Sequence, residues 1–364
     1  MHIRSSLRFF SPALIALAGT GAFAQSSVTL YGAVDASFEH DAGNGLTVNK
    51  INNSNLFSSK LGFKGTEDLG GGLKAMFKLE GGLKNESGNG KASNTTNQAS
   101  GAATAALNGA QGLDFQRYSY VGVAGNFGEL HLGREYIYSF YYGEGAVDPF
   151  GTNGPAAATN MFFKLNSYVG VSASNMISYT SPDAPLQAGA QYFLGGNSTA
   201  TATVGKSDGS GYSAFLKYQQ GPWLISGAMS KTSYLVFGDY KVNALSAQYD
   251  LSSAASLMYT YAKESQTSQA GVASADTENM IAGTYKMGAA TWKASYIHSS
   301  RTGTAATTGT GNQYGLGVDY ALSKRTRLYT TVAEVRNSGN AGYATGIASP
   351  ANSGAWAIGV YTAF

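Results

Sequence analysis

Apolar and polar side chains alternate along nearly the whole chain, in stretches of about ten residues. Val28, Leu30, Val34 and Phe38 share one face of the first stretch, while Thr29, Asp35 and Glu39 share the other. Further on, Leu73, Ala75, Phe77 and Leu79 oppose Lys74, Lys78 and Glu80. Tyr212, Ala214, Leu216 and Tyr218 oppose Ser213, Lys217 and Gln219, and Tyr314, Leu316, Val318 and Tyr320 oppose Gln313 and Asp319. The final stretch sets Trp356, Ile358, Val360, Thr362 and Phe364 on one side. Successive side chains of a strand point to opposite faces, so this spacing predicts strands with one greasy and one wettable surface.

Sixteen such stretches begin near residues 27, 57, 72, 115, 128, 168, 186, 212, 223, 241, 254, 279, 290, 313, 326 and 354. Their connections alternate in length. Asp68-Leu69-Gly70-Gly71, Ala124-Gly125-Asn126, Gln220-Gly221-Pro222 and Ser323-Lys324-Arg325 are short; the segments near 41–55, 84–112, 138–166 and 195–210 are long. Even strand number with short turns on one side and long loops on the other is the pattern of an outer-membrane barrel. An open sheet in hydrocarbon leaves unpaired N–H and C=O groups along its edges, and closure removes that cost. The expected fold is therefore all-β, a sixteen-stranded antiparallel transmembrane β-barrel. The alternative is a water-soluble sandwich or β-solenoid, which needs a core of large aliphatics. Here the apolar positions are instead rich in Tyr, Trp, Ala and Gly, as aromatic girdles at two interfaces require.

Composition narrows the picture further. Charged residues make up 12% of 364 positions and there is no Cys, which excludes disulfide frameworks, thiol catalysis and Cys-bearing metal sites. Residues 1–24 read as a secretory signal: Arg4 and Arg8, an apolar run from Phe9, then Ala22-Phe23-Ala24, with cleavage between Ala24 and Gln25. Residues 25–364 then form one barrel domain. Removing the signal takes two Arg and no acid from a chain of net charge +3, which leaves no global field to attract nucleic acid.

Several segments resemble the general porins of Gram-negative bacteria, those of β-proteobacteria in particular. Val28-Thr29-Leu30-Tyr31-Gly32 with Asp35 is similar to the family's first strand, and the run Lys60-Leu61-Gly62-Phe63-Lys64-Gly65-Thr66-Glu67-Asp68-Leu69-Gly70 is the most specific match. Arg117 with Tyr120-Val121-Gly122, Leu132-Gly133-Arg134, and Tyr320-Ala321-Leu322-Ser323-Lys324-Arg325 carry the resemblance onward to a terminal Phe364, which resembles the family's assembly signal. The resemblance implies a homotrimer in the outer membrane, in contact with lipid and lipopolysaccharide, both termini periplasmic, without cofactor or catalytic residues. It also implies that the third long loop folds inward and narrows a water-filled pore for passive diffusion of small hydrophilic solutes and ions.

On that basis Glu144 and Asp148, in the third loop, are expected to face Lys60, Arg117 and Arg134 across the constriction. Lys74, Lys78 and Glu80 are expected as further lumen charges. Strict alternation from Leu130 and Leu132 sends Arg134 outward; a bulge at Gly133 is expected to turn it inward. Ser172 and Ser178 stand where the family often carries bases, so only a weak anion preference is expected. The Ser/Thr/Asn-rich segment 84–112 reads equally as a latch onto a neighbouring subunit or as a loose surface loop. A substrate-selective channel lined by Tyr141, Tyr142 and Phe150 remains open, and so does a barrel hydrolase using His40, His131 or His298, although none of these has a recognisable Ser or Asp arrangement around it.

Overall fold

The computed structural model describes residues 27–91, 112–165, 171–196, 205–305, 307–347 and 352–364. The expected export signal with Ala24 and Gln25, and most of the expected loop at 84–112, lie outside these residues. In chain order the strands are β1 (Ser27–Gly43), β2 (Leu46–Asn53), β3 (Lys60–Gly70), β4 (Leu73–Lys84), β5 (Asn89–Gly90), β6 (Tyr118–Gly125), β7 (Gly128–Tyr136), β8 (Ser172–Thr180) and β9 (Leu186–Phe193). They continue as β10 (Ser210–Gln220), β11 (Trp223–Ser233), β12 (Asp239–Asp250), β13 (Ala255–Thr267), β14 (Ala273–Met287), β15 (Ala290–Thr302), β16 (Gly309–Ala321), β17 (Thr326–Gly339) and β18 (Ser353–Ala363).

All but β2 and β5 form the wall, a closed ring of sixteen antiparallel strands. Closure runs through β1, whose lower half pairs with β3 (Ser27↔Thr66 to Ala33↔Lys60) and whose upper half pairs with β18 (Ala33↔Ala363 to Gly43↔Ser353). The seam reaches the last residue: Gly32 N–H donates to Phe364 O at 3.2 Å and Phe364 N–H to Gly32 O at 3.0 Å. Only a glycine fits there, since a Cβ on residue 32 would lie 2.4 Å from the Phe364 ring.

Burial is inverted relative to a water-soluble domain. Leu216, Ile281, Leu316, Val332 and Ile358 are exposed, whereas Ser213, Ser246, Thr260, Gln313 and Ser353 are buried. Among the described residues nothing covers these apolar side chains, which form an outer band, as hydrocarbon contact requires. Exposed Trp223, Tyr285, Trp292 and Tyr320 sit by the short turns; Tyr192, Tyr212, Tyr296 and Trp356 sit towards the long connections. Those are the two aromatic girdles expected from the sequence.

Two features depart from the expected outline. The first long connection contains a strand, β2, folded back on β1 through Asn44-Gly45, where both residues have positive φ (53° and 74°). Asn-Gly suits this tight hairpin turn because both residues tolerate the left-handed region. Secondly, β14 and β16 start at residues 273 and 309, ahead of the expected 279 and 313. Strands longer than the hydrocarbon needs rise into water, where both faces are wet and the period-two signal fades.

Candidate functional site

The third long connection carries most of the internal architecture. It holds a single π-helical turn, Ser139–Glu144, and a short 3-10 turn, Ala158–Asn160. Its backbone is tied to polar-face residues of one wall strand after another. Gln191 of β9 accepts from Tyr138 N–H (3.0 Å), and Ser226 of β11 donates to Tyr142 O (2.5 Å). Ser246 of β12 donates to Gly143 O (2.6 Å), and Gln313 of β16 donates to Ala156 O and Ala157 O (3.1 and 3.0 Å). Serine and glutamine on the wettable face thus satisfy carbonyls that the irregular loop leaves open. Where the segment packs on the strands, their otherwise polar face turns apolar. Val147, Met161 and Phe162 of the loop pack with Met280, Ile297 and Val335 of β14, β15 and β17.

A cavity of about 780 Å³ opens between this segment and the wall. Lys60, Arg117, Lys217 and Gln219 line it from the wall, with Phe57 and Tyr136; Tyr141, Tyr142 and Thr152 line it from the loop. No Asp or Glu is among the described lining residues. The basic side is organised around Glu80, whose carboxylate receives Arg117 Nε at 2.5 Å, Lys60 Nζ at 3.7 Å and Lys78 Nζ at 3.9 Å. Tyr31 Oη also donates to it, at 2.8 Å. Three cations around one anion leave a local surplus of positive charge. Lys78 additionally lies 3.4 Å above the Tyr118 ring, and Arg117 stacks over Tyr136 at 5.3 Å.

The other expected site residues sit elsewhere. Glu144 is wholly buried on the far side of the π turn, where its carboxylate meets Glu264 and Glu278 and not a base. Burial and the neighbouring Glu264 and Asp276 push its carboxyl well above the usual carboxylate range. Asp148 shapes the loop itself: its carboxylate accepts from Phe150 N–H (2.9 Å), Thr152 N–H (3.0 Å) and Ala158 N–H (2.8 Å). Burial raises its carboxyl too, against the lowering effect of those three donors. Neither acid lines the cavity: Asp148 is used in shaping the loop, and Glu144 is enclosed beside Glu264 and Glu278.

Arg134 is also displaced from expectation. An irregularity does occur between Gly133 and Glu135, but the extra residue is on β8, where Asn175 adopts φ 55°, so Arg134 keeps its parity. It stands opposite Ser119 in a separate recess with Leu113, Phe115 and Gln116. There its guanidinium donates to Gln116 O (2.6 Å) and Ser174 Oγ (2.8 Å). Lys74 lies at the short-turn mouth, beside Glu129, Asp183 and Gln187. Phe364 is exposed at the seam.

Sequence reasoning overlooked Phe57, Tyr136 and the acids Glu264 and Glu278. The usable signal was inverted parity: Met280, Ile297 and Val335 are apolar residues on an otherwise polar face, and they mark where something dry lies against the wall.

A closed antiparallel ring, apolar outside and polar inside, defines a membrane-spanning barrel with an aqueous interior. Comparison with known proteins gives the family. Residues 11–340 match the Gram-negative porin family. The chain is 30% identical to "Outer membrane porin protein 32" of Delftia acidovorans, over 89% of this chain and 88% of that one. The structure superposes on an anion-selective porin from Comamonas acidovorans with TM-score 0.77 and 26% identity, covering 93% of this chain and all (100%) of the other. It shares its fold with OmpT of Vibrio cholerae, described as a trimer form, at TM-score 0.65 and 15% identity, over 93% and 99% of the two chains. The chain belongs to the Gram-negative porin family and is an outer-membrane channel for passive diffusion.

Proposed function

We propose that the third loop, residues 137–165, lies within the barrel and narrows it to a neck with a basic flank. Small hydrophilic solutes and ions would then pass this neck with anions favoured. The observation that carries this reading is the cavity between Lys60, Arg117 and Lys217 on the wall and Tyr141, Tyr142 and Thr152 on the loop. A cation-rich, acid-free lining lowers the barrier for anions and raises it for cations. The anion selectivity named for the Comamonas acidovorans relative is in keeping with it. Reversal potentials of the refolded protein in planar bilayers under a salt gradient test the reading; a cation-selective sign would sink it.

The expected facing of Glu144 and Asp148 to wall bases across the constriction has no support in this geometry, because neither acid lines the cavity. A second reading, a solute-selective pore, has one favouring observation. Phe57, Tyr136, Phe140, Tyr141 and Tyr142 crowd the same cavity, so a solute with a flat apolar face and an acidic group finds both partners. Block of single-channel current by such a solute at micromolar concentration separates this from general diffusion. We further propose that the barrel works as a homotrimer with periplasmic termini, checked by cross-linking and heat-modifiable migration on gels. We read the chain as no enzyme. Its relatives are porins, and Ser178 donates to Glu135 while His131 Nδ1 bonds the same carboxylate, so the hydroxyl faces an acid and not an imidazole base.

A further inference from the structure

Behind the third loop, Glu144, Glu264 and Glu278 each offer a carboxylate oxygen, and these oxygens lie within 4.8 Å of one another. All three side chains are essentially inaccessible, at 1%, 0% and 0% exposure. Apolar clusters built on Met280 and on Tyr240 with Val242 enclose the wall positions around them. Burying one unpaired carboxylate is costly, and burying three together is more so.

Their surroundings divide the three acids. Glu264 accepts the N–H groups of Phe163 and Leu165 and the hydroxyl of Tyr240, a donor set suited to an ionised carboxylate. Asp276 beside it is matched by Arg301, whose Nε and Nη2 lie 2.7 and 2.5 Å from its oxygens. Both oxygens of Glu144 and both of Glu278 receive no N–H or hydroxyl donor among the described residues; Glu278 meets only another carboxyl, that of Glu264. Arg301 is already taken up by Asp276, and no ion pair with Lys or Arg reaches either glutamate among the described residues.

We propose that Glu144, Glu264 and Glu278 form a binding site for a divalent cation of the calcium class, which fastens the third loop to β13 and β14. Hard cations take carboxylate oxygens, and Ca²⁺ holds them at about 2.3–2.6 Å, so ligands across the ion stand up to about 5 Å apart. The observed spacing matches that span. Mg²⁺ binds at about 2.0–2.1 Å, demands near-ideal octahedral geometry and keeps its waters, which suits a dry three-carboxylate pocket less well. One ion neutralises two of the three charges and occupies the vacant lone pairs of Glu144 and Glu278. Because Glu144 comes from the loop and the other two from the wall, the ion is a staple across two parts of the chain.

The test uses the whole mature barrel, refolded in detergent from a preparation free of lipopolysaccharide, stripped with EDTA and equilibrated with radiolabelled calcium. One ion retained per chain, with an unfolding midpoint higher in calcium than in EDTA or magnesium, is the expected result. Glu144→Gln and Glu278→Gln should each abolish both effects, while Glu334→Gln, an acid paired with Arg336 outside the cluster, should leave them unchanged. Heat-modifiable migration checks that each variant is folded. The comparison of calcium with EDTA on the unsubstituted chain needs no variant. No retained ion, identical midpoints in calcium and EDTA, or binding that survives both substitutions overturns the proposal, and in the first two cases the carboxylates hold protons instead. Channel selectivity is measured separately, so failure here leaves the anion-preference reading standing.

Discussion

At the scale of single residues, Glu80 governs the sign of the cavity. It engages Arg117, Lys60 and Lys78 and yet leaves their charge in excess. Replacing Lys60 and Arg117 together by Gln removes that excess and leaves Glu80 opposed by Lys78 alone. The reversal potential in a salt gradient should then move several-fold in permeability ratio toward cations, and an unchanged potential removes both residues from the conduction path. Replacing Arg134 by Gln should leave selectivity unaltered, since it lies in the recess with Ser119 and Gln116. A second prediction concerns pH. The Glu144 carboxyl is raised from its ordinary value of 4.5 by burial beside Glu264 and Asp276, with Glu278, Tyr240 and Arg301 also facing this region. A raised carboxyl favours the folded arrangement while protonated. Its contribution is therefore complete below the unfolded value and disappears as pH rises through the raised one. In EDTA, open-channel current noise from the loop should grow as pH rises through that raised value and be least below the ordinary one; Glu144→Gln should flatten that dependence.

At the scale of elements, Asp148 and Gly32 show two kinds of constraint. Asp148→Ala leaves three loop N–H groups without their acceptor, at about 1–3 kcal/mol for each that stays buried. The expected outcome is a noisier channel with a lowered melting midpoint, read by single-channel recording and calorimetry. Gly32→Val sets a side chain against the Phe364 ring at the seam, and should abolish the heat-modifiable folded band. The wall strands were legible from alternation because each is wetted on one side only; Trp223 and Ala290 begin β11 and β15 at the expected positions. What alternation does not record is a residue that leaves the two-face pattern. Glu144 and Asp148 looked like pore acids because they fall in the third long connection, where the resemblance places a constriction, whereas their carboxylates are directed by loop geometry that no period describes. Arg134 was misplaced for a related reason: the irregularity sits on the partner strand, at Asn175, and register between strands is not written in either strand alone.

For the molecule as a whole, the inverted partition of side chains is the organising fact. Leu316→Arg places a guanidinium on the outer band and should cost roughly 2–4 kcal/mol of folding stability near the bilayer midplane. Gln219→Arg places the same group in the aqueous cavity, with a stability change within about 0.5 kcal/mol and stronger discrimination against cations. Urea unfolding from vesicles measures the first, and bilayer recordings the second. Reporter groups at Phe77 and Lys78 check the same partition directly, since a lipid-borne quencher should reach Phe77 in preference to Lys78.

The seam between Gly32 and Phe364 has a consequence for biogenesis. Its two sides come from β1 and β18, far apart along the chain, so the cylinder cannot be sealed until both strands are in place. Every shortened product, whether stalled or clipped, keeps two raw margins open to hydrocarbon. Zipping shut therefore waits on the arrival of β18.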